Sequence, residues 1–234
     1  MNIIVTGASR GIGYATCLEL SKNPKNTIIA LARNQEKLKN LKEECLRDHH
    51  NEILTLGFNL ENPDWGALNE LLREFEQIDI LINNAGALVN RPFLVTTREE
   101  WQKMLNVNLI GAAEMVQKLY KFLQSSPRAH IVNIGSMGGF QGSAKFAGLS
   151  AYSASKAALA CLTECLAEEF SKTNICCNCL CLGAVATEML AEAFPGFEPP
   201  LQDFEMARYI ADFSTKAHRY MNGQVIPVTF SNPV

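Results

Sequence analysis

Close to the start of the chain, the apolar run Ile3-Ile4-Val5 leads directly into Thr6-Gly7-Ala8-Ser9-Arg10-Gly11-Ile12-Gly13, and a helical pattern from Tyr14 to Ser21 follows. Few short stretches restrict a fold as tightly. A buried strand, a glycine-rich turn and a helix have to follow one another without a break. Glycine lets the backbone approach a ligand with no Cβ in the way, and a helix N-terminus offers unpaired N–H groups to negative charge. Together they form the cradle that a dinucleotide pyrophosphate requires.

The rest of the chain repeats the alternation. Apolar, β-rich runs at 2–6, 27–32, 53–58, 79–83, 129–134, 175–181 and 224–229 predict strands. Stripes of period 3.6 at 35–47, 64–75, 98–123 and 153–171 predict helices between them. Continuously apolar strands imply a sheet covered on both faces, and right-handed crossovers then give a doubly wound fold. The expectation is a single-domain α/β Rossmann fold over 1–234, with seven parallel strands and helices on both faces. No repeat or linker interrupts it.

Composition excludes several function classes. With 47% hydrophobic and 19% charged residues the 234-residue chain has the makings of one large core. A net charge of −3, with no Lys/Arg block, gives no reason to bind nucleic acid. No apolar run approaches the roughly 18 residues a membrane helix needs. The first strand opens the chain and leaves no room for a signal peptide, so a cytoplasmic protein is expected.

Eight cysteines are present. Cys176, Cys177, Cys179 and Cys181 crowd one apolar segment, which admits a metal or disulfide reading. On a strand, Cys176 and Cys179 point to opposite faces, and no histidine sits at ligand spacing. They read as small hydrophobes in a reducing compartment, with Cys17, Cys45, Cys161 and Cys165 in helical patterns, and no metal site is expected. His49, His50, His130 and His218 read as scattered surface or loop residues.

In doubly wound folds ligands bind outside the C-terminal strand ends. The residues there are Gly7 to Gly13, Arg33, Asn59, Asn83 to Gly86, Gly135-Ser136 and Gly183 to Thr187. Nearby, Tyr152 and Lys156 stand four apart on a helical pattern and share one face. A phenol of ordinary pKa near 10 is only about 0.1% ionised at pH 7, and a cation held close lowers that pKa. A shift of about 3 units takes roughly 4 kcal/mol. The pair therefore reads either as an acid/base device or as a Tyr/Lys couple on an exposed helix end.

The chain closely resembles the short-chain dehydrogenase/reductase family. The motifs carrying the resemblance occur in order: T-G-x-x-x-G-x-G at Thr6–Gly13, N-N-A-G at Asn83–Gly86 and N-L at Asn108-Leu109. Ser136, Y-x-x-x-K at Tyr152/Lys156 and G-x-V-x-T at Gly183–Thr187 complete the set. The resemblance implies that Ser136 orients a substrate oxygen and that Tyr152 is the general acid/base. Lys156 would tune Tyr152 and hold the nicotinamide ribose, and Asn108, midway along a long helix, would hold a relay water. Gly7, Ser9, Arg10, Gly11, Ile12, Gly13, Asn59, Leu60, Asn84, Ala85, Gly86, Gly183, Val185 and Thr187 would line the cofactor groove.

NAD-preferring relatives place an acid at the end of the second strand, where this chain has Ala32 and then Arg33. A guanidinium binds a 2′-phosphate in bidentate fashion, and Arg10 can reach the same group. Two arginines with no nearby acid favour NADP(H). Three departures from the family pattern are visible. Asn59 replaces an aspartate, Leu182 replaces a proline, and the Ser136–Tyr152 interval is lengthened by the glycine-rich segment Gly138 to Phe146. The segment 188–205, with Met189, Leu190, Phe194, Phe197, Phe204 and three prolines, reads as an apolar substrate lid.

The expectation is therefore hydride transfer between NADP(H) and a small, largely apolar carbonyl or alcohol. A 3-oxoacyl thioester reductase and a non-catalytic nucleotide-binding regulator remain as rivals. The resemblance also implies a homodimer or homotetramer, packed through 98–123 and 153–171.

Overall fold

The computed structural model describes residues 1–230, so the last four residues of the expected domain lie outside the described residues. Seven parallel strands form one sheet. They are β1 (Asn2–Thr6), β2 (Thr27–Ala32), β3 (Leu54–Gly57), β4 (Ile80–Asn83), β5 (Ala129–Ser136), β6 (Ile175–Leu182) and, at the far edge, β9 (Val225–Val228). A small two-stranded sheet, β7 (Val185–Ala186) with β8 (Leu201–Gln202), lies outside it and was not foreseen.

The order β3-β2-β1-β4-β5-β6-β9 reverses direction between β1 and β4, which opens a crevice at their C-terminal ends. Strand pleating explains the apolar runs. Ile3 and Val5 face one core with Leu38, Leu41 and Ile210, while Ile4 faces the other with Met115, Leu119 and Leu123. Helices α1 (Gly11–Ser21), α2 (Gln35–His49) and α8 (Asp203–Lys216) cover the first face. On the second lie α3 (Trp65–Leu71), α5 (Gly111–Ser125) and α6 (Ser150–Glu169). Two further helices, α4 (Arg98–Leu105) and α7 (Glu188–Ala193), border the crevice.

Local chemistry sets the helix starts. Asn34 and Asp64 cap α2 and α3, Thr97 and Glu100 form a reciprocal capping box on α4, and Thr187 caps α7. Helix α1, like α5 and α6, has no side-chain cap; its N-cap residue is Arg10. Its first N–H groups are left to face the crevice.

The expected helix over 98–123 is broken. A π-turn occupies Asn106–Ile110, and Gly111 N–H bonds to Asn106 O, five residues back. The turn ends at a close approach: a Cβ on Gly111 would lie 2.8 Å from Leu60 Cβ. Such turns are usual where a helix is bent to present a side chain.

His130 also departs from the sequence reading. It is fully buried on β5, with Nδ1 2.8 Å from Ser214 O and Nε2 2.9 Å from Asn178 Nδ2. Those two partners satisfy both ring nitrogens of a neutral imidazole. Burial holds its pKa down at about 4. Cys161 and Cys165 are exposed on α6, whereas Cys177, Cys179 and Cys181 are packed inside. Among the described residues no group of three or more His, Cys, Asp or Glu gathers around a possible metal position, and no helix is long and apolar enough to cross a membrane.

Candidate active site

The crevice is a cavity of about 500 Å³. Most residues singled out at the strand ends line it: Gly7, Ser9 to Gly13, Arg33, Asn59, Leu60, Asn84 to Gly86, Gly135, Ser136, Gly183 to Val185 and Thr187, whereas Ala8, Asn83 and Ala186 do not. Tyr152 and Lys156 of α6 complete the wall. Asn108 does not reach the cavity; it is buried behind it.

The glycine loop is shaped by necessity. Gly7 has φ +69° and Gly11 φ +53°, a region most side chains avoid. A Cβ on Gly7 would stand 2.7 Å from Ala85 Cα, and one on Gly13 would collide with Asn84 Nδ2 and Gly7 O. The Asn84-Ala85 turn is in turn stitched to the loop. Asn84 Nδ2 donates to Thr6 O at 2.9 Å, and Thr6 Oγ1 accepts from the N–H groups of Asn84 (3.1 Å) and Ala85 (3.0 Å). A tight backbone cradle backed by the uncapped N-terminus of α1 suits a diphosphate, so the residues present fit a dinucleotide.

The residues with acid/base chemistry sit at the opposite end. Ser136 Oγ, at the tip of β5, accepts from Gly138 N–H at 3.1 Å. Burial raises the Tyr152 pKa above its ordinary value, and interaction with the Ser136 hydroxyl offsets part of that rise. Lys156 is buried as well, which lowers its pKa to about 8. Its Nζ donates to Ile134 O at 2.7 Å.

The expected depression of the Tyr152 pKa by Lys156 is therefore not seen. Helical spacing puts both residues on one face, but the lysine stem runs beneath toward the sheet, and desolvation of the phenol dominates.

The side chain of Asn108 is held by three hydrogen bonds. Its Oδ1 accepts from Ala87 N–H at 2.7 Å, while Nδ2 donates to Ala87 O and to Ser155 Oγ, each at 2.9 Å. Both amide protons are thereby used, and Ser155 Oγ donates in turn to the backbone carbonyl of Tyr152 at 2.7 Å. The amide clamps the segment after Asn84-Ala85-Gly86 to the first turns of α6. Ser155 and Ala87 carried no signal in the sequence, since one is a mid-helix serine and the other contributes only backbone.

The lid is shorter on the cavity side than 188–205. Met189, Leu190, Phe194 and Phe197 line the cavity, whereas Phe204 stands exposed on the first turn of α8. The lengthened segment does reach the mouth. Phe146 meets Phe194 edge-on at 6.0 Å, and Asn90 Nδ2 donates to Ala193 O at 2.8 Å. Asn90 went unnoticed because nothing local distinguishes a loop asparagine that reaches a carbonyl 103 residues away.

One electrostatic premise needs correction. Arg10 and Arg33 are not free of acids. Arg10 Nη1 lies 2.7 Å from Glu188 Oε2 and 3.4 Å from Glu192 Oε1, and Arg33 Nη1 lies 3.9 Å from Glu61 Oε2. Two of these carboxylates come from the lid, far away in sequence, so reading only the neighbours of each arginine could not find them. Asn59 Oδ1, beyond the end of β3, accepts from Glu61 N–H at 3.1 Å.

Fold and site together define an oxidoreductase that acts on carbonyl or alcohol groups. A family model described as short chain dehydrogenase matches residues 1–196, and the chain belongs to that family. A 3-oxoacyl-(acyl-carrier-protein) reductase of Synechocystis is 30% identical over 210 residues, covering 88% of this chain and 82% of that protein. The enzyme of that name from Aquifex aeolicus is 30% identical over 237 residues, covering 96% and 94%. Among solved structures, a short chain dehydrogenase from Salmonella enterica superposes with a TM-score of 0.88 at 26% identity, covering 97% of this chain and 94% of that one. One from Escherichia coli, complexed with NADPH, superposes at 0.86 and 26%, covering 97% and 95%.

Proposed function

We propose that the chain is an NADP(H)-dependent carbonyl reductase in which Tyr152 delivers the proton to the substrate oxygen. The observation that carries this reading is the convergence of Ser136, Tyr152 and Lys156 at one end of a cavity whose other end is a glycine cradle. Bound NADPH would supply the hydride. It would lie along Gly7 to Gly13 and Asn84 to Gly86, with Arg10 and Arg33 toward a 2′-phosphate and Thr187 toward the nicotinamide end. The NADPH held by the Escherichia coli relative supports that choice.

Ser136 Oγ holds the carbonyl oxygen beside the phenol. Tyr152 donates from its hydroxyl oxygen as negative charge develops there, and a phenol kept protonated by burial is suited to that direction. Lys156, its Nζ anchored on Ile134 O, would hold the nicotinamide ribose rather than act on the phenol directly. Asn108 is a positioning residue, fixing the Ala87 backbone against α6. The apolar lid, with Phe194 and Phe197, excludes water from the reacting atoms and favours an uncharged substrate.

A 3-oxoacyl thioester is a second reading, supported by the names of the relatives from Synechocystis and Aquifex aeolicus and by the apolar mouth at Phe146 and Phe194. Comparing kcat/KM for an acetoacetyl pantetheine thioester with that for a simple apolar ketone separates the two. Turnover of neither with NADPH would sink the reductase reading. Association through α6, whose exposed face carries Ala154, Ala157 and Cys161, is part of the same proposal. Sedimentation reporting a monomer would remove it.

A further inference from the structure

Resting on the NADP(H) reading, we infer that Glu188 is an internal competitor for the cofactor's 2′-phosphate and sets the protein's discrimination between the two nicotinamide cofactors. The carboxylate bridges two cations on different elements. Oε2 lies 2.7 Å from Arg10 Nη1 in the glycine loop, and Oε1 lies 3.3 Å from Lys37 Nζ on α2. Lys37 stands one helical turn beyond Arg33, the residue that follows β2, so Arg10, Arg33 and Lys37 surround the place where a group on the adenosine ribose would lie.

The position of Glu188 on that rim is fixed by the backbone. Thr187 caps α7 by accepting from Leu190 N–H at 3.2 Å, and its Cγ2 lies 3.3 Å from where a Gly11 Cβ would be. Thr187 thus seats the first residue of α7 beside the glycine loop. Glu188 lines the cavity alongside Arg10 and Arg33.

The charge balance explains the effect. Arg10, Arg33 and Lys37 bring three positive charges, and Glu61, Glu188 and Glu192 bring three negative ones. A phosphate dianion approaching this neutral set has to displace a carboxylate from Arg10 and Lys37 before it can use them. NADH carries no 2′-phosphate and leaves the bridge in place. Removing the charge of Glu188 while keeping its shape makes the rim net positive and frees two donors at once. All of these groups are partly exposed, so the effect should be modest: about two- to five-fold in affinity, the range of an exposed ion pair.

The test is a fluorescence titration of wild type, Glu188→Gln and Lys37→Ala with NADPH and, separately, NADH, with thermal melts to verify folding. Glu188→Gln is expected to bind NADPH about two- to five-fold more tightly and NADH as before. Lys37→Ala should weaken NADPH binding alone. A Glu188→Gln protein with the wild-type ratio of NADPH to NADH affinity would overturn the inference, as would equal changes for both cofactors. A wild type that does not prefer NADPH would instead overturn the cofactor reading on which the inference rests.

Discussion

Asn108 grips both the N–H and the C=O of Ala87, at 2.7 and 2.9 Å, as a neighbouring strand would. This clamp sits behind the cavity and holds the turn that carries Gly86, whose Cβ, if it had one, would lie 3.5 Å from Asn108 Oδ1 and 3.6 Å from Lys156 Nζ. Replacing Asn108 by Ala removes three hydrogen bonds from a buried location and leaves their partners unpaired. We expect a stability loss of about 2–4 kcal/mol, read as a lower denaturation midpoint, and a reduced kcat with little change in KM. An unchanged midpoint would mean that the clamp carries no structural weight.

Tyr152→Phe keeps the ring and its packing while removing the proton. The expected loss in kcat is about 10²–10⁴-fold, with NADPH affinity within two-fold or so of wild type. A variant retaining a tenth or more of wild-type turnover would assign the proton donor elsewhere.

A methyl group at Gly13 has no space, since it would meet Asn84 Nδ2 and Gly7 O across the loop. Gly13→Ala should therefore weaken both NADPH and NADH by more than ten-fold or so, because the cradle for their common diphosphate is displaced. Selective loss of one cofactor would contradict this, since selectivity belongs to the rim around Arg10 and Arg33.

His130 makes stability depend on pH. Its pKa falls from an ordinary value near 6.5 to about 4 in the folded protein, because burial opposes the charged ring, with His218 adding a smaller opposing charge. The unfolded chain then binds more protons between these values, so stability is lost as pH falls from about 6.5 to about 4. The full penalty is about 3 kcal/mol. Thermal midpoints measured across that window should decline in wild type and decline less steeply in His130→Gln. Parallel slopes would show that His130 does not govern the acid limb.

Much of this was legible in the sequence because it depends on neighbours in the chain. The seven strands, the glycine loop and the Tyr152/Lys156 pair are set by local alternation and helical spacing. What was not legible came from contacts between distant segments. The π-turn at Asn106–Ile110 ends where Gly111 packs on Leu60, a contact that the continuous periodicity across 98–123 does not register. His130 has an apolar setting only because α8 closes over β5 through Ser214. Arg10 seemed free of acids until the lid brought Glu188 and Glu192 across from the other end of the fold. The pairing of β7 with β8 joins segments too short to carry a pattern.

The lid offers another test. Asn90 holds Ala193 O, and Phe146 meets Phe194 beside it, so the loop after β4, the lengthened segment and the lid close on one another at the mouth. Asn90→Ala should raise the substrate KM by a few-fold, roughly the worth of one partly exposed hydrogen bond, while NADPH affinity stays constant. A change in NADPH affinity without a change in KM would detach this contact from the substrate side.

The central claim is that the Tyr152 phenol supplies the proton that completes hydride reduction of an apolar carbonyl. It is tested most directly by mixing the NADPH-loaded protein with a panel of uncharged ketones and following reduced nicotinamide in a single turnover, with Tyr152→Phe run in parallel. The account predicts rapid oxidation of the nicotinamide with at least one ketone in wild type and its near-abolition in the variant at undiminished NADPH binding. Equal rates in the two proteins, or no oxidation in wild type with any member of the panel, would contradict it.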